Sequence, residues 1–225
     1  MPFDAGFIEL GHRCAPQAQI EVLAAVVEVQ SGFDPLFVQS AAVRFKPTSI
    51  GEAVSDAVEL LDQGKAVQLG LAGFEGTKLG ETGLSVDGAF DACKSLRAAG
   101  QLLDVALDRA AAGGFQGDDL VKVALRTFVK TVGGDGDVSD VVRRMVEAKR
   151  RLSPVAAKLS AAFQKRLAAN VAERAKADGA RSSAVNDPRP APGNAARIRV
   201  AAPWDVYGTH AGASVMMFSK QETRP

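Results

Sequence analysis

The chain has 225 residues, of which 47% are hydrophobic and 24% are charged, and its formal net charge is +1. This length can bury a core of ordinary size, either as one domain with appendages or as two small domains. The near-neutral balance gives no electrostatic footprint for nucleic acid, which excludes that class of partner. No apolar run approaches the roughly 20 residues that a membrane span needs.

The first thirteen residues lack the basic start and apolar stretch of a secretory signal, because Asp4, Glu9 and Arg13 interrupt them. Three alternatives stay open: the precursor begins upstream, export uses another route, or the protein stays in the cytoplasm. Cys14 and Cys93 do not decide between these alternatives. Two cysteines in a chain of this length are more often free buried thiols than a disulfide, and they are too few for a cysteine-rich zinc site.

The predicted elements begin with a helix over residues 19–31, where apolar residues follow the i, i+3, i+4, i+7 pattern. Gly32 and Pro35 end it. Residues 36–46 alternate loosely between apolar and polar side chains, which predicts a short β-hairpin. Ala is abundant in the rest of the chain and favours helix.

A capping box, formed by Ser49 and Glu52, opens the next helix, which ends at Gly64. Ser153 followed by Pro154 is a typical helix start and predicts that a final amphipathic helix begins there. The other predicted elements are an extended segment at 66–72 and helices at 85–92, at 96–112, from 118 onward, at 141–152 and at 154–177.

The composition changes after residue 177. Residues 178–203 are rich in Gly, Ser, Asn, Pro and Arg, which predicts a disordered linker. Residues 204–225 contain an apolar run at 204–218. We interpret this run as a short segment that docks on another protein, with packing back on the parent domain as the alternative.

Four landmarks occur in a fixed order along the chain. They are Cys14-Ala15-Pro16; the helix end Gln30-Ser31-Gly32-Phe33-Asp34-Pro35; Gly64 followed by Leu69-Gly70-Leu71-Ala72-Gly73-Phe74; and the run from Gly83 to Leu96 that contains Ala89-Phe90-Asp91-Ala92-Cys93. The ordered set resembles the VirB1-like lytic transglycosylases of type IV secretion systems. The resemblance covers residues 14–110 and weakens toward residue 150.

The resemblance implies a mainly α, lysozyme-like transglycosylase domain with a small β-hairpin over residues 10–152. A helical extension at 153–177, the linker at 178–203 and the docking segment at 204–225 would follow. The resemblance also implies a disulfide between Cys14 and Cys93. A disulfide favours a periplasmic location, with the cytoplasm as the alternative.

The position of the family's single catalytic glutamate, directly before Ser-Gly, holds Gln30. A carboxamide has neither an acidic proton nor a basic lone pair at neutral pH, so it cannot act as acid and then base. Glu28 lies about 200° around the helix from Gln30 and is predicted to be a solvated charge. Glu75 is the candidate for a substitute acid.

The family's substrate-binding positions correspond to Ser31, Gly73, Phe74 and Phe128. Gly73 stands where the family has a sugar-binding glutamine, and Phe128 stands where it has a tyrosine that supports the acid. Three parts of the expected site have therefore lost polar groups. We expect a component that acts at peptidoglycan and binds glycan strands or secretion-system proteins, the latter through residues 204–218, with weak or no cleavage.

Two alternatives remain for the function: an active lytic transglycosylase that uses Glu75, and a non-catalytic cytoplasmic adaptor. No cofactor or metal is expected. His12 and His210 lack acidic neighbours at ligand spacing and are predicted to be surface residues, and the Asp135–Asp137 turn lacks the last glutamate of a calcium loop.

Overall fold

The computed structural model describes residues 3–41, 43–133 and 137–184, with side chains described up to residue 176. The described part is mainly helical and carries one small antiparallel sheet, which confirms the predicted fold class. The helices are α1 (Ala5–Cys14), α2 (Ile20–Gln30), α3 (Ile50–Asp62), α4 (Leu79–Thr82), α5 (Val86–Phe90), α6 (Ala92–Ala112), α7 (Gly117–Gly133) and α8 (Ser139–Ala184). The strands are β1 (Val38–Ser40), β2 (Val43–Phe45), β3 (Gln68–Leu69) and β4 (Phe74–Glu75), and a 3₁₀ turn follows at Gly76–Lys78.

Helix α2 runs through the core. Its residues Ile20 and Val22–Val27 are all buried, which is expected for a helix that is apolar over most of its surface. Helices α6 and α7 pack against each other along their length, and α1 and α2 pack against α6. The C-terminal end of α2 is therefore held by a well-packed scaffold, and Gln30 is its last residue.

The sheet has the strand order β2-β1-β3-β4, and each neighbouring pair is antiparallel. Val38 of β1 lies opposite both Phe45 of β2 and Leu69 of β3. The predicted hairpin at 36–46 is thus confirmed. The extended segment predicted at 66–72 supplies only the two residues of β3, because the chain turns at Gly70.

Gly70 has no substitute in this fold. Its φ of +68° lies in the left-handed region, and a Cβ there would fall 2.0 Å from the carbonyl oxygen of Ala89 in α5. The turn between β3 and β4 therefore approaches α5 as closely as backbone atoms allow.

The predicted domain boundary at residue 10 falls inside α1, which begins at Ala5. Asp4 caps this helix by accepting a hydrogen bond from the Phe7 amide at 3.1 Å, and Phe7 and Ile8 are fully buried. The sequence signal for this earlier helix start was Asp4 as a capping residue, followed by the apolar residues Phe7 and Ile8.

Cys14 and Cys93 form a disulfide, as the resemblance implied, with their Cα atoms 5.2 Å apart. The bond ties the end of α1 to the first turn of α6. Helix α6 begins four residues earlier than the predicted start at 96, because Asp91 accepts the Lys94 amide hydrogen bond at 2.9 Å and caps it. Closing a loop with a sequence separation of 79 residues contributes about 4 kcal/mol in the chain-entropy description of cross-linking.

The two helices predicted at 141–152 and 154–177 are one continuous helix, α8, with Pro154 inside it. Ser153 does not cap a new helix; its hydroxyl donates to the Lys149 carbonyl at 2.7 Å. Leu152 and Ala156 are buried on either side of the proline, so packing against the domain carries the helix through a position that normally disfavours it.

The helix also continues to Ala184, seven residues past the predicted end at 177, so the predicted linker at 178–203 begins inside α8. The rest of that linker, the docking segment at 204–225, His210 and Asp135 lie outside the described residues. Within the described ranges, none of the helices is long and apolar enough to cross a membrane, and no cluster of three metal-ligating side chains occurs.

Candidate functional site

The aromatic residue Phe33 stabilises the backbone of the loop that follows α2. Gly32 and Phe33 both have left-handed φ angles, +67° and +64°. This conformation is uncommon for a bulky residue such as Phe33, and it is held by packing, because the Phe33 ring lies 5.1 Å from the ring of Phe7 and 5.8 Å from that of Phe3. The aromatic residue of the Ser-Gly-Phe-Asp-Pro motif is therefore an anchor for the loop.

Asp34 and Arg44 tie the hairpin to this loop. One Asp34 carboxylate oxygen accepts the Leu36 amide hydrogen bond at 3.0 Å, and the other accepts a hydrogen bond from the Arg44 guanidinium at 3.0 Å. Arg44 also donates to the Ser31 carbonyl at 2.9 Å and lies over the Phe37 ring, 4.9 Å from its centroid. A cation at the C-terminal end of α2 complements the helix dipole.

Ser31 connects α2 to the β3–β4 turn. Its side chain is fully buried, and its hydroxyl donates toward two carbonyl oxygens, that of Val27 at 3.0 Å and that of Leu71 at 2.8 Å. A buried hydroxyl that keeps both contacts fixes the turn relative to the helix. Ser31 is thus the residue that holds the two halves of the predicted site together.

Gly73 lies directly against Gln30. Its φ is +64°, and a Cβ at this position would fall 3.0 Å from Gln30 Cβ and 3.1 Å from Gln30 Cδ. The half-buried Gln30 side chain therefore takes the room that any side chain at position 73 would need. The glutamine that the resemblance expects at this position does not fit the backbone of this chain without a shift.

Glu75 is fixed on β4 and is 9% exposed. Its carboxylate oxygen Oε1 accepts a hydrogen bond from the Val67 amide at 3.0 Å. Burial raises the pKa of Glu75 above its usual range, against the opposing effects of the Val67 hydrogen bond and the nearby Lys78 charge. Its carboxylate supports the backbone before β3.

Phe74 and Phe128 are buried in the core, with at most 1% of their surface exposed. Phe128 lies on α7, and α7 packs against β4. Both rings act as packing groups in this structure. The structure therefore brings Gln30, Ser31 and Gly73 together at one place, whereas Phe74 and Phe128 lie in the core.

Two residues differ from their predicted surroundings. Glu28 is not a solvated charge: its side chain is 27% exposed and accepts a hydrogen bond from Arg151 at 2.8 Å. His12 is half-buried, lies 3.2 Å from the Ser160 hydroxyl and stacks on Phe163. Both errors have one cause, because the partners come from α8, and the sequence does not show that this helix lies along α2 and α1.

Comparison with known proteins finds similarity to VirB1 proteins, the group that the motifs resemble. The Type IV secretion system protein virB1 of Brucella suis biovar 1 is 28% identical over 181 residues, which cover 71% of this chain and 76% of that protein. Protein virB1 of Agrobacterium fabrum is 29% identical over 156 residues, which cover 67% of this chain and 62% of that protein. No family model and no solved structure matches the chain.

Fold and site together define a mainly α domain in which a buried serine holds the end of the central helix against a tight turn. The chain is similar to VirB1 proteins, in agreement with the resemblance that the ordered motifs carry.

The contact between Gly73 and Gln30 predicts a coupled effect on stability. Gly73→Ala should lower the free energy of unfolding by about 1–3 kcal/mol, because it adds backbone strain and a collision with Gln30. In a Gln30→Ala background the contacts with Gln30 Cγ and Cδ are gone, while the backbone strain and the contact with Cβ remain, so the cost should be smaller. Urea unfolding of the four proteins of this cycle measures the difference; equal costs in both backgrounds would show that the two residues do not interact.

The raised pKa of Glu75 predicts a pH-dependent loss of stability. The ordinary pKa of a glutamate side chain is 4.5, and the pKa of Glu75 in the folded protein lies above it, so folding favours the protonated carboxyl. Glu75 therefore makes its whole contribution to stability below the pKa that it has in the unfolded chain. This contribution falls as pH rises through the pKa that Glu75 has in the folded protein. Relative to Glu75→Gln, the wild type should lose stability as pH rises above the ordinary glutamate pKa of 4.5. A constant difference across a urea-unfolding series would contradict this.

Proposed function

We propose that this chain is a component of a type IV secretion or conjugation apparatus that acts at peptidoglycan. In this proposal it binds glycan strands or assembly partners and cleaves glycan weakly or not at all. The observation that carries the proposal is the fixed placement of Gln30 at the end of α2, where the family has its acid. The VirB1 names of the similar proteins support the secretion-system setting.

The chemistry explains why one side chain decides between binding and cleavage. Release of the leaving sugar oxygen requires a proton, and closure of the 1,6-anhydro ring requires a base to remove one. One carboxyl group with a raised pKa can do both, and general acid–base catalysis contributes typically about 10²–10⁴-fold. The Gln30 carboxamide can donate a hydrogen bond to a sugar oxygen, but it does not transfer a proton.

The surrounding scaffold supports binding despite the missing acid. Ser31 still joins the helix to the β3–β4 turn, and Arg44 still holds the carbonyl of Ser31. Gln30 has nearly the shape of a glutamate, so its replacement leaves the walls around the position in place. This arrangement favours retention of a surface that recognises glycan after loss of the catalytic group.

A second candidate function is cleavage by Glu75, and one observation favours it. Glu75 is the buried carboxyl of the β3–β4 region, and its pKa is raised as a general acid requires. Its hydrogen bond to the Val67 amide argues for a structural role instead, since that bond directs the carboxylate toward the backbone before β3.

A periplasmic location is part of the proposal. The Cys14–Cys93 disulfide supports it, because disulfides form and persist in oxidising compartments.

Purified peptidoglycan sacculi test the proposal in one experiment. We expect the chain to co-sediment with sacculi and to release no 1,6-anhydromuramyl products, which mass spectrometry detects. Failure to co-sediment would contradict glycan binding. Product release that Glu75→Gln abolishes, and that the matched control Glu28→Gln retains, would establish the second candidate instead.

A further inference from the structure

The sheet has an open edge at β2 among the residues that the structure describes. In the strand order β2-β1-β3-β4, α7 packs against β4, whereas none of the described strands pairs with the outer side of β2. An edge strand presents backbone amide and carbonyl groups that another extended chain can pair with. Val43 of this strand is a large apolar residue with 59% of its surface exposed.

An apolar cavity lies beside this edge. It has a volume of about 430 Å³ and lies between β2 and the end of α3, where Val43, Phe45, Leu60, Ala66 and Lys65 line it. Val43 and Phe45 lie two residues apart on β2 and so share one face of the strand. We call the outer edge of β2 together with this cavity the β2 dock.

The charges around the β2 dock indicate the chemistry of its occupant. Lys65 is the charged residue that lines the cavity, and Arg44 and Lys46 lie at the edge strand. Arg44 already pairs with Asp34, whereas the ion pairs of the described residues engage neither Lys46 nor Lys65. A second copy of this chain does not fit, because pairing β2 with itself would bring these cations together.

We propose that the β2 dock binds an extended, acidic segment of a partner protein by strand addition. The segment pairs its main chain with β2, inserts an apolar side chain beside Val43 and Phe45, and places acidic side chains near Lys46 and Lys65. Main-chain pairing requires amides at regular spacing, which a protein strand supplies. The proposal rests on the assembly-partner half of the proposed function and specifies the surface that this half uses.

The position of the β2 dock links it to the candidate site. Arg44 lies on β2, and its guanidinium contacts the Ser31 carbonyl at the end of α2. A strand added to β2 therefore binds next to Arg44, which contacts the residue that follows Gln30.

Fluorescent peptides that alternate apolar and acidic residues test the β2 dock in an anisotropy titration with the full chain. We expect saturable binding, at least about tenfold weaker for peptides with Lys in place of the acidic residues and for peptides with methylated backbone amides. Val43→Asp and Lys65→Glu should each weaken binding about tenfold. Val171→Asp, at an exposed valine of α8, is the matched control and should bind as the wild type does.

Three results would overturn the proposal: no binding of any acidic peptide up to about 1 mM, equal binding of the acidic and basic peptides, or equal losses from Val43→Asp and Val171→Asp. The proposal would also be contradicted if the protein forms a dimer that Val43→Asp dissociates, because the occupant would then be a second copy of the chain. Thermal unfolding of each variant checks that it is folded. The titration contains no peptidoglycan, so its failure leaves glycan binding untouched.

Discussion

The hydrogen bond from the buried Ser31 hydroxyl to the Leu71 carbonyl, 2.8 Å long, is the contact on which the rest of the site depends. It joins the end of the central helix α2 to the turn between β3 and β4. Both parts are well fixed on their own sides, α2 by its buried faces and the turn by the close approach of Gly70 to α5. Because the hydroxyl is fully buried, loss of this bond would leave the Leu71 carbonyl without this donor inside the protein.

This contact makes positions 30 and 73 neighbours, and both differ from the pattern that the resemblance implies. The Gln30 side chain fills the space beside Gly73, and the left-handed backbone at Gly73 suits the residue that is present. The pair therefore forms a consistent packing unit, although neither residue can transfer a proton. A scaffold that keeps its buried contacts without the acid is the physical basis of the proposed binding function.

Sequence motifs predicted most of what short-range chemistry controls. The helix that ends at Gln30, the hairpin, the mainly α class and the Cys14–Cys93 pair all follow from local pattern or from the ordered motifs. The errors lie where distant segments meet. Pro154 marks a helix start by local rules, but burial of Leu152 and Ala156 outweighs it, and the partners of Glu28 and His12 come from that same helix. The placement of Gln30 against Gly73 depends on the hydrogen bond between Ser31 and Leu71. These two residues are 40 positions apart in the sequence, so no local pattern shows the contact.

The measurement that tests the central claim most directly is the rate at which sacculi release 1,6-anhydromuramyl products with Gln30→Glu, compared with the wild type and with Gln30→Asn. We expect a modest increase for Gln30→Glu, at or below about 10²-fold, and none for Gln30→Asn, because the carboxyl returns while the polar groups at positions 73 and 128 remain absent. A wild-type rate equal to that of Gln30→Glu would show that the carboxyl at position 30 is not what this protein lacks.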